Sequence, residues 1–148
     1  MSFSERTVWA EIMASLIFIA LVVWYIQTSY VAGAFDGPEG LQRWARTVLV
    51  LIVIGIVVAI VVSVIMAIAY RMITGEDPDD LVDERDRQIA ALGWKVSTIA
   101  TGIGIVGMVI GLALGLSALA AFNAVLAACA LGDISGNAAK LIAYRRGG

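Results

Sequence analysis

The chain has 148 residues, 61% hydrophobic and 15% charged, with a formal charge of −2, no histidine and one cysteine, Cys129. That composition lies far from that of a soluble domain, and so balanced a charge offers nucleic acid no electrostatic handle. The missing histidine and lone cysteine exclude His/Cys zinc sites, haem ligation through His, intramolecular disulfides and Ser-His or Cys-His catalysis.

Four apolar runs dominate, at about residues 8–30, 48–70, 96–116 and 118–143. As helices rising 1.5 Å per residue, each is long enough to cross about 30 Å of hydrocarbon. The pattern predicts an all-α, polytopic membrane protein. Residues 1–148 would form a single four-helix transmembrane domain of two antiparallel hairpins. Its helices are expected at about 8–30, 47–71, 89–116 and 118–143, with a cytoplasmic loop at 72–88.

In chain order, the first run is followed by Ala32-Gly33-Ala34, which resembles a signal-peptide cleavage site. Its apolar stretch is too long for an h-region, and its n-region holds one Arg and one Glu, so it is read as a retained helix. Glu11 lies about three residues inside that helix, within reach of the inner headgroups, Arg6 or Lys95. The loop at 31–44, with Gly33, Gly37, Pro38 and Gly40, reads as a turn-rich connection. Helix 2 is rich in β-branched residues, with Ser63 the one hydroxyl between residues 48 and 69. Being apolar all round, it is expected to face lipid.

Gly75 and Pro78 are expected to stop helix 2, and Asp79 or Asp80 to cap a new helix. That helix would run from Leu81 through Gly93 into helix 3. Leu81, Val82, Ile89 and Leu92 would lie along the membrane surface or pack below the bundle. Asp83 and Arg87 have the i, i+4 spacing of an ion pair. Carboxylates suit Ca²⁺ or Mg²⁺, but the alternating oxygen ligands and central Gly of an EF-hand are missing. The expectation is a solvated, self-capped segment without metal or cofactor. Asp83, Glu84, Arg85, Asp86 and Arg87 are its candidate partner contacts.

Helices 3 and 4 meet at Leu116-Ser117-Ala118, a very short connection. Gly107, Gly111 and Gly115 have the small-xxx-small spacing that permits close approach, and Gly104 and Gly93 extend that face. With Asp133 at zero on a helical wheel, Lys140 and Tyr144 fall within about 20°, Asn137 and Cys129 within about 40°, and Asn123 at about 80°. Folding about Ser117 sets Asp133 against Thr101, Asn137 against Ser97, Lys140 against Trp94 and Lys95, and Asn123 against Gly111. Asp133, Asn137, Lys140, Thr101 and Ser97 thus form a candidate intramembrane polar site. Two roles fit it: a hydrogen-bonded lock between helices 3 and 4, or a proton or cation site at Asp133. Cys129 is read as a small packing residue.

Arg6, Arg71, Arg85, Arg87, Lys95, Lys140, Arg145 and Arg146 fall on one side of an up-down-up-down arrangement, and Arg43 and Arg46 on the other. The positive-inside rule then makes both termini cytoplasmic. Trp9, Tyr70, Trp94 and Tyr144 would mark the inner interface, and Trp24, Tyr25, Tyr30 and Trp44 the outer one.

The run Asp83-Glu84-Arg85-Asp86-Arg87-Gln88-Ile89, with Gly93 behind it, and the ending Lys140-Leu141-Ile142-Ala143-Tyr144-Arg145-Arg146-Gly147 resemble a family of small, uncharacterised bacterial membrane proteins. That family carries an Asp-Glu-Arg-Asp motif between two helical hairpins. The resemblance implies an architecture, an inner-membrane location and an accessory role. Ala10-Glu11-Ile12 also looks like the helix 1 glutamate of small multidrug-resistance transporters, but Glu11 is shallower and the aromatic substrate-site residues are missing. Two functions follow. One is a non-enzymatic structural, regulatory or accessory protein whose cytoplasmic face meets a membrane or cytoplasmic protein partner, or a second copy of itself. The other is a small proton- or cation-coupled transporter or channel using Asp133.

Overall fold

The computed structural model describes residues 3–75 and 83–146, with side chains from Thr7 onward. Four helices account for nearly all of them: α1 (Phe3–Val31), α2 (Gly40–Thr74), α3 (Glu84–Ala113) and α4 (Ala118–Arg146). Each is long and apolar enough to cross a membrane, with mean hydropathies of 2.1, 3.6, 2.0 and 1.7 in chain order.

The helix ends depart from the sequence reading for local reasons. α1 stops in a Schellman motif: Gly33 takes φ +71°, its N–H donates to the Tyr30 carbonyl, and Ala34 N–H donates to Ser29. α2 starts at Gly40, about two turns before residue 47, because the polar residues Gln42, Arg43 and Arg46 stay helical without being apolar. Arg43 anchors this start by donating to the carbonyls of Ala34 and Asp36. A Cβ on Gly40 would overlap the Phe35 carbonyl, so the turn needs glycine there. At about 52 Å, α2 is longer than the roughly 30 Å of hydrocarbon a span must cross.

α2 runs to Thr74, three residues past the expected 71, and Gly75 caps it with φ +75° and its N–H on the Arg71 carbonyl, the stop expected of that glycine. Pro78, Asp79, Asp80, Leu81 and Val82 lie outside the described residues. α3 starts at Glu84, five residues before the expected 89, because Asp83 is its N-cap and accepts from Asp86 N–H at 2.8 Å. The anticipated Asp83–Arg87 pair gives way to that cap, and Arg87 instead lies 3.8 Å from Glu84.

α3 ends at Ala113, not 116. Gly115 (φ +89°) donates to Leu112 and Leu116 N–H reaches Gly111, a second Schellman motif whose Leu116 side chain lies over Gly111. Ser117 then caps α4, its hydroxyl accepting from Ala120 N–H. Stop and start thus share four residues.

α3 and α4 form the most extensive contact, α1 packs on α4, and α2 touches α1 and α4 sparsely. The α3–α4 contacts run in opposite order: Gly93 meets Gly136 and Lys140, Ser97 and Thr101 meet Gly132, and Gly104 meets Ala128. Near the start of α2, Phe35, Trp44 and Val48 form a small buried cluster against Ile26, Leu119 and Leu126.

Candidate functional site

Two stripes on α4 organise the candidate site. Ala121, Ala128, Gly132 and Gly136 are buried and fall within about 80° of one another on the wheel. Ala128, Gly132 and Gly136 lie on the face that meets α3. A Cβ on Gly132 would lie 2.5 Å from Thr101 Oγ1, and one on Gly136 2.7 Å from the Gly93 carbonyl. Without side chains at these positions the two backbones approach closely, which strengthens dispersion contacts where lipid supplies no hydrophobic drive.

That packing alters the expected partners. Gly132, not Asp133, faces Thr101 and Ser97, so the polar stripe is turned by about one residue, or 100°, away from α3. Among the described residues, neither Thr101 nor Ser97 bonds to Asp133; both instead border the glycine contact. Gly107 and Gly115 meet nothing within 4 Å, and Gly111 meets only Leu116. The close approach belongs to Gly93 and Gly104.

The polar stripe faces α1 and α2. Asp133 is exposed and lines a cavity of about 650 Å³ bounded by α1, α2 and α4. Ser15, Gln27 and Tyr30 of α1, Ser117 before α4 and Asn123 of α4 are among its other polar groups, and Phe18, Ile19, Val22 and Leu51 are among its apolar walls. Cys129 also lines the cavity and is exposed, so it is not the packing residue that its position suggested. Asn137, only 5% exposed, donates from Nδ2 to Asp133 Oδ1 at 3.5 Å, a long bond.

Toward the end of α4, Lys140 Nζ donates to Glu11 Oε2 of α1 at 3.1 Å. The sequence gives Glu11 to the inner headgroups, Arg6 or Lys95 and sends Lys140 toward Trp94 and Lys95. Lys140 instead lays its stem over Gly93, where a Cβ would lie 2.6 Å from Lys140 Cγ, and spans to α1. The Lys140 side chain is 23% exposed and that of Glu11 46%. Beside this pair, the Arg145 guanidinium lies 5.8 Å from the Trp9 ring centre. Arg85 donates to the Tyr144 carbonyl at 3.4 Å, linking the start of α3 to the end of α4.

At the opposite end, Trp44 Nε1 donates to Asn123 Oδ1 at 3.0 Å, and its ring packs on Phe122 at 5.8 Å. Trp44 is 6% exposed, so it serves the bundle and not the outer headgroup belt. The sequence places Trp44 in that belt because no local pattern signals a partner 79 positions away. The small-residue stripe on α4 did have a signal, the i, i+4 spacing of Ala128, Gly132 and Gly136.

The charges on the facing sides of α1 and α4 are thereby sorted. Lys140 is taken by Glu11, and among the described residues Asp133 has no cationic partner. In the candidate partner segment, Glu84 and Arg87 are exposed, with 74% and 72% of their side chains accessible. No known family model matches this chain, and no curated protein or solved structure is significantly similar to it.

Proposed function

We propose that this chain is a small proton- or cation-coupled transporter or channel of the bacterial inner membrane, and not an enzyme. In this reading its helices form two antiparallel hairpins with both termini cytoplasmic. One observation carries the reading: Asp133 opens into the cavity and lacks a cationic partner among the described residues. A carboxylate kept only as a lock would be spent on α3, and that contact is made by Gly93, Gly104, Ala128, Gly132 and Gly136 instead. Intramembrane charge is costly and normally carries a purpose.

Reconstituted in liposomes, the wild-type chain should show a pH-driven flux that Asp133→Asn abolishes while thermal stability stays unchanged. Flux unchanged in Asp133→Asn would remove Asp133 from the pathway.

The eight-to-two division of basic residues supports the orientation. So do the basic and aromatic groups gathered at one end: Arg145 on Trp9, and Arg85 on Tyr144. The inner membrane itself comes from the resemblance of the 83–89 run and the Tyr144-Arg145-Arg146-Gly147 ending to small bacterial membrane proteins. A cysteine placed at Gly37 should label from outside intact cells and one at Asp80 should not; the reverse would invert the topology.

A second reading, an accessory protein acting through its cytoplasmic face, is favoured by the start of α3. Asp83 fixes that start, Arg85 ties it to α4, and Glu84 and Arg87 are left exposed to meet a partner.

A further inference from the structure

The walls around Asp133 narrow the class of cation, granted the reading above that Asp133 binds one. A bare inorganic cation requires several converging oxygens: Ca²⁺ takes six to eight, and Mg²⁺ a near-ideal octahedron. Among the described residues no group of three or more acidic or Cys/His side chains could hold a metal ion. Asn123 Oδ1, on the same cavity wall, already accepts from Trp44. Asp133 is the sole charged group among the described residues lining the cavity, and most of the lining is apolar.

A cation that carries its own apolar surface answers both features. Its charge is matched by one carboxylate without a full ligand shell, and its substituents replace lipid or water against the walls. The cavity, at about 650 Å³, lies within the range of roughly 300–1,000 Å³ that holds drug-sized molecules. Phe18 and Tyr30 place aromatic side chains in the lining, and aromatic rings tolerate a dispersed positive charge better than a negative one.

We infer that the cavity between α1, α2 and α4 binds a lipophilic monovalent organic cation, such as a bulky quaternary ammonium or phosphonium. Its charge is set against Asp133 and its body against Phe18, Ile19 and Val22 of α1 and Leu51 of α2. Cys129, one turn from Asp133 on the same wall, lies beside the occupant.

The test uses the full chain in lipid nanodiscs and two ions of matched shape and opposite charge, tetraphenylphosphonium and tetraphenylborate. Equilibrium dialysis against empty nanodiscs should show saturable, one-to-one uptake of the cation and none of the anion. Asp133→Asn should weaken that uptake by about tenfold or more, and Asp133→Glu should restore most of it. The bound cation should also slow alkylation of the native Cys129 by N-ethylmaleimide, a readout that loss of fold in a variant cannot imitate. Equal uptake of both ions, or cation uptake indifferent to Asp133→Asn, overturns the inference. So does cation binding that leaves Cys129 alkylation unchanged. If a pH-driven flux depends on Asp133 yet no saturable cation uptake occurs, the substrate class falls and the transport reading stands. If neither is found, both fall.

Discussion

α2 and α4 are both long enough to span a membrane, yet they solve opposite problems. α2 is the more hydropathic, at 3.6 against 1.7, and 6% of its most apolar window is buried against 17% for α4. α2 has a composition suited to a bilayer and meets the rest of the molecule at few points, chiefly the Trp44 cluster and Gly55 under the Phe18 ring. α4 is poorer in apolar surface and richer in Gly, Ala and polar residues, and it is the helix on which α3, α1 and α2 all converge. Apolar bulk suits insertion, whereas small and polar residues suit association, because lipid competes with Leu or Ile for an apolar neighbour but not with a backbone at close range.

The largest effect that sharpens this contrast is expected at the α3–α4 contact. A Cβ on Gly104 would overlap the Cβ of Ala128, while Gly107, three residues on, meets nothing within 4 Å. Gly104→Leu should therefore destabilise the fold by about 3 kcal/mol or more, at the upper end of overpacking costs. Gly107→Leu should stay within about 1 kcal/mol of wild type, since it loses only glycine's flexibility in a helix. Reversible unfolding in mixed micelles would measure both. Equal losses at the two positions would mean that Gly107 is also packed and the register is wrong.

How much of this was legible follows the same division. The four spans stood out because insertion is a sum over composition, which a sequence states directly. The polar stripe of Asp133, Asn137 and Lys140 was legible as a stripe, since helical spacing alone defines it. Its direction was not, because polar residues were paired with the hydroxyls of Thr101 and Ser97. The helices instead chose the face that permits the closest backbones, Gly132 and Gly136, one residue around. Glu11–Lys140 and Trp44–Asn123 join residues 129 and 79 positions apart, so no local pattern announces them. The helix ends were missed by a few residues where a cap decided them, at Asp83 and at Gly115.

An intermediate effect is expected at the Glu11–Lys140 pair, which ties α1 to α4. Glu11→Gln and Lys140→Gln, singly and together, form a cycle whose coupling should be about 1 kcal/mol. Glu11 is half exposed, so solvent or headgroups screen the pair and hold the coupling to that size. The same unfolding assay reads it. A coupling near zero would leave α1 attached to α4 by apolar packing alone, and α1 would then resemble α2 more than α4.

The smallest effect is expected on α2, and it tests the other half of the contrast. Ile56 and Ile60, one turn apart, are 56% and 59% exposed. In a soluble core, Ile→Ala would cost about 2–5 kcal/mol through lost burial and a cavity. On a lipid-facing helix no cavity forms, because acyl chains close over the site, and the side chain loses no partner that it held in the fold. Ile56→Ala and Ile60→Ala should each change the unfolding free energy by less than about 0.5 kcal/mol, as surface substitutions do. The span should still insert, because at a mean hydropathy of 3.6 α2 is far above what crossing requires. A loss of 2 kcal/mol or more at either position, growing with protein concentration in the bilayer, would show that α2 is covered by another copy of the chain and that its apparent isolation belongs to the single chain alone.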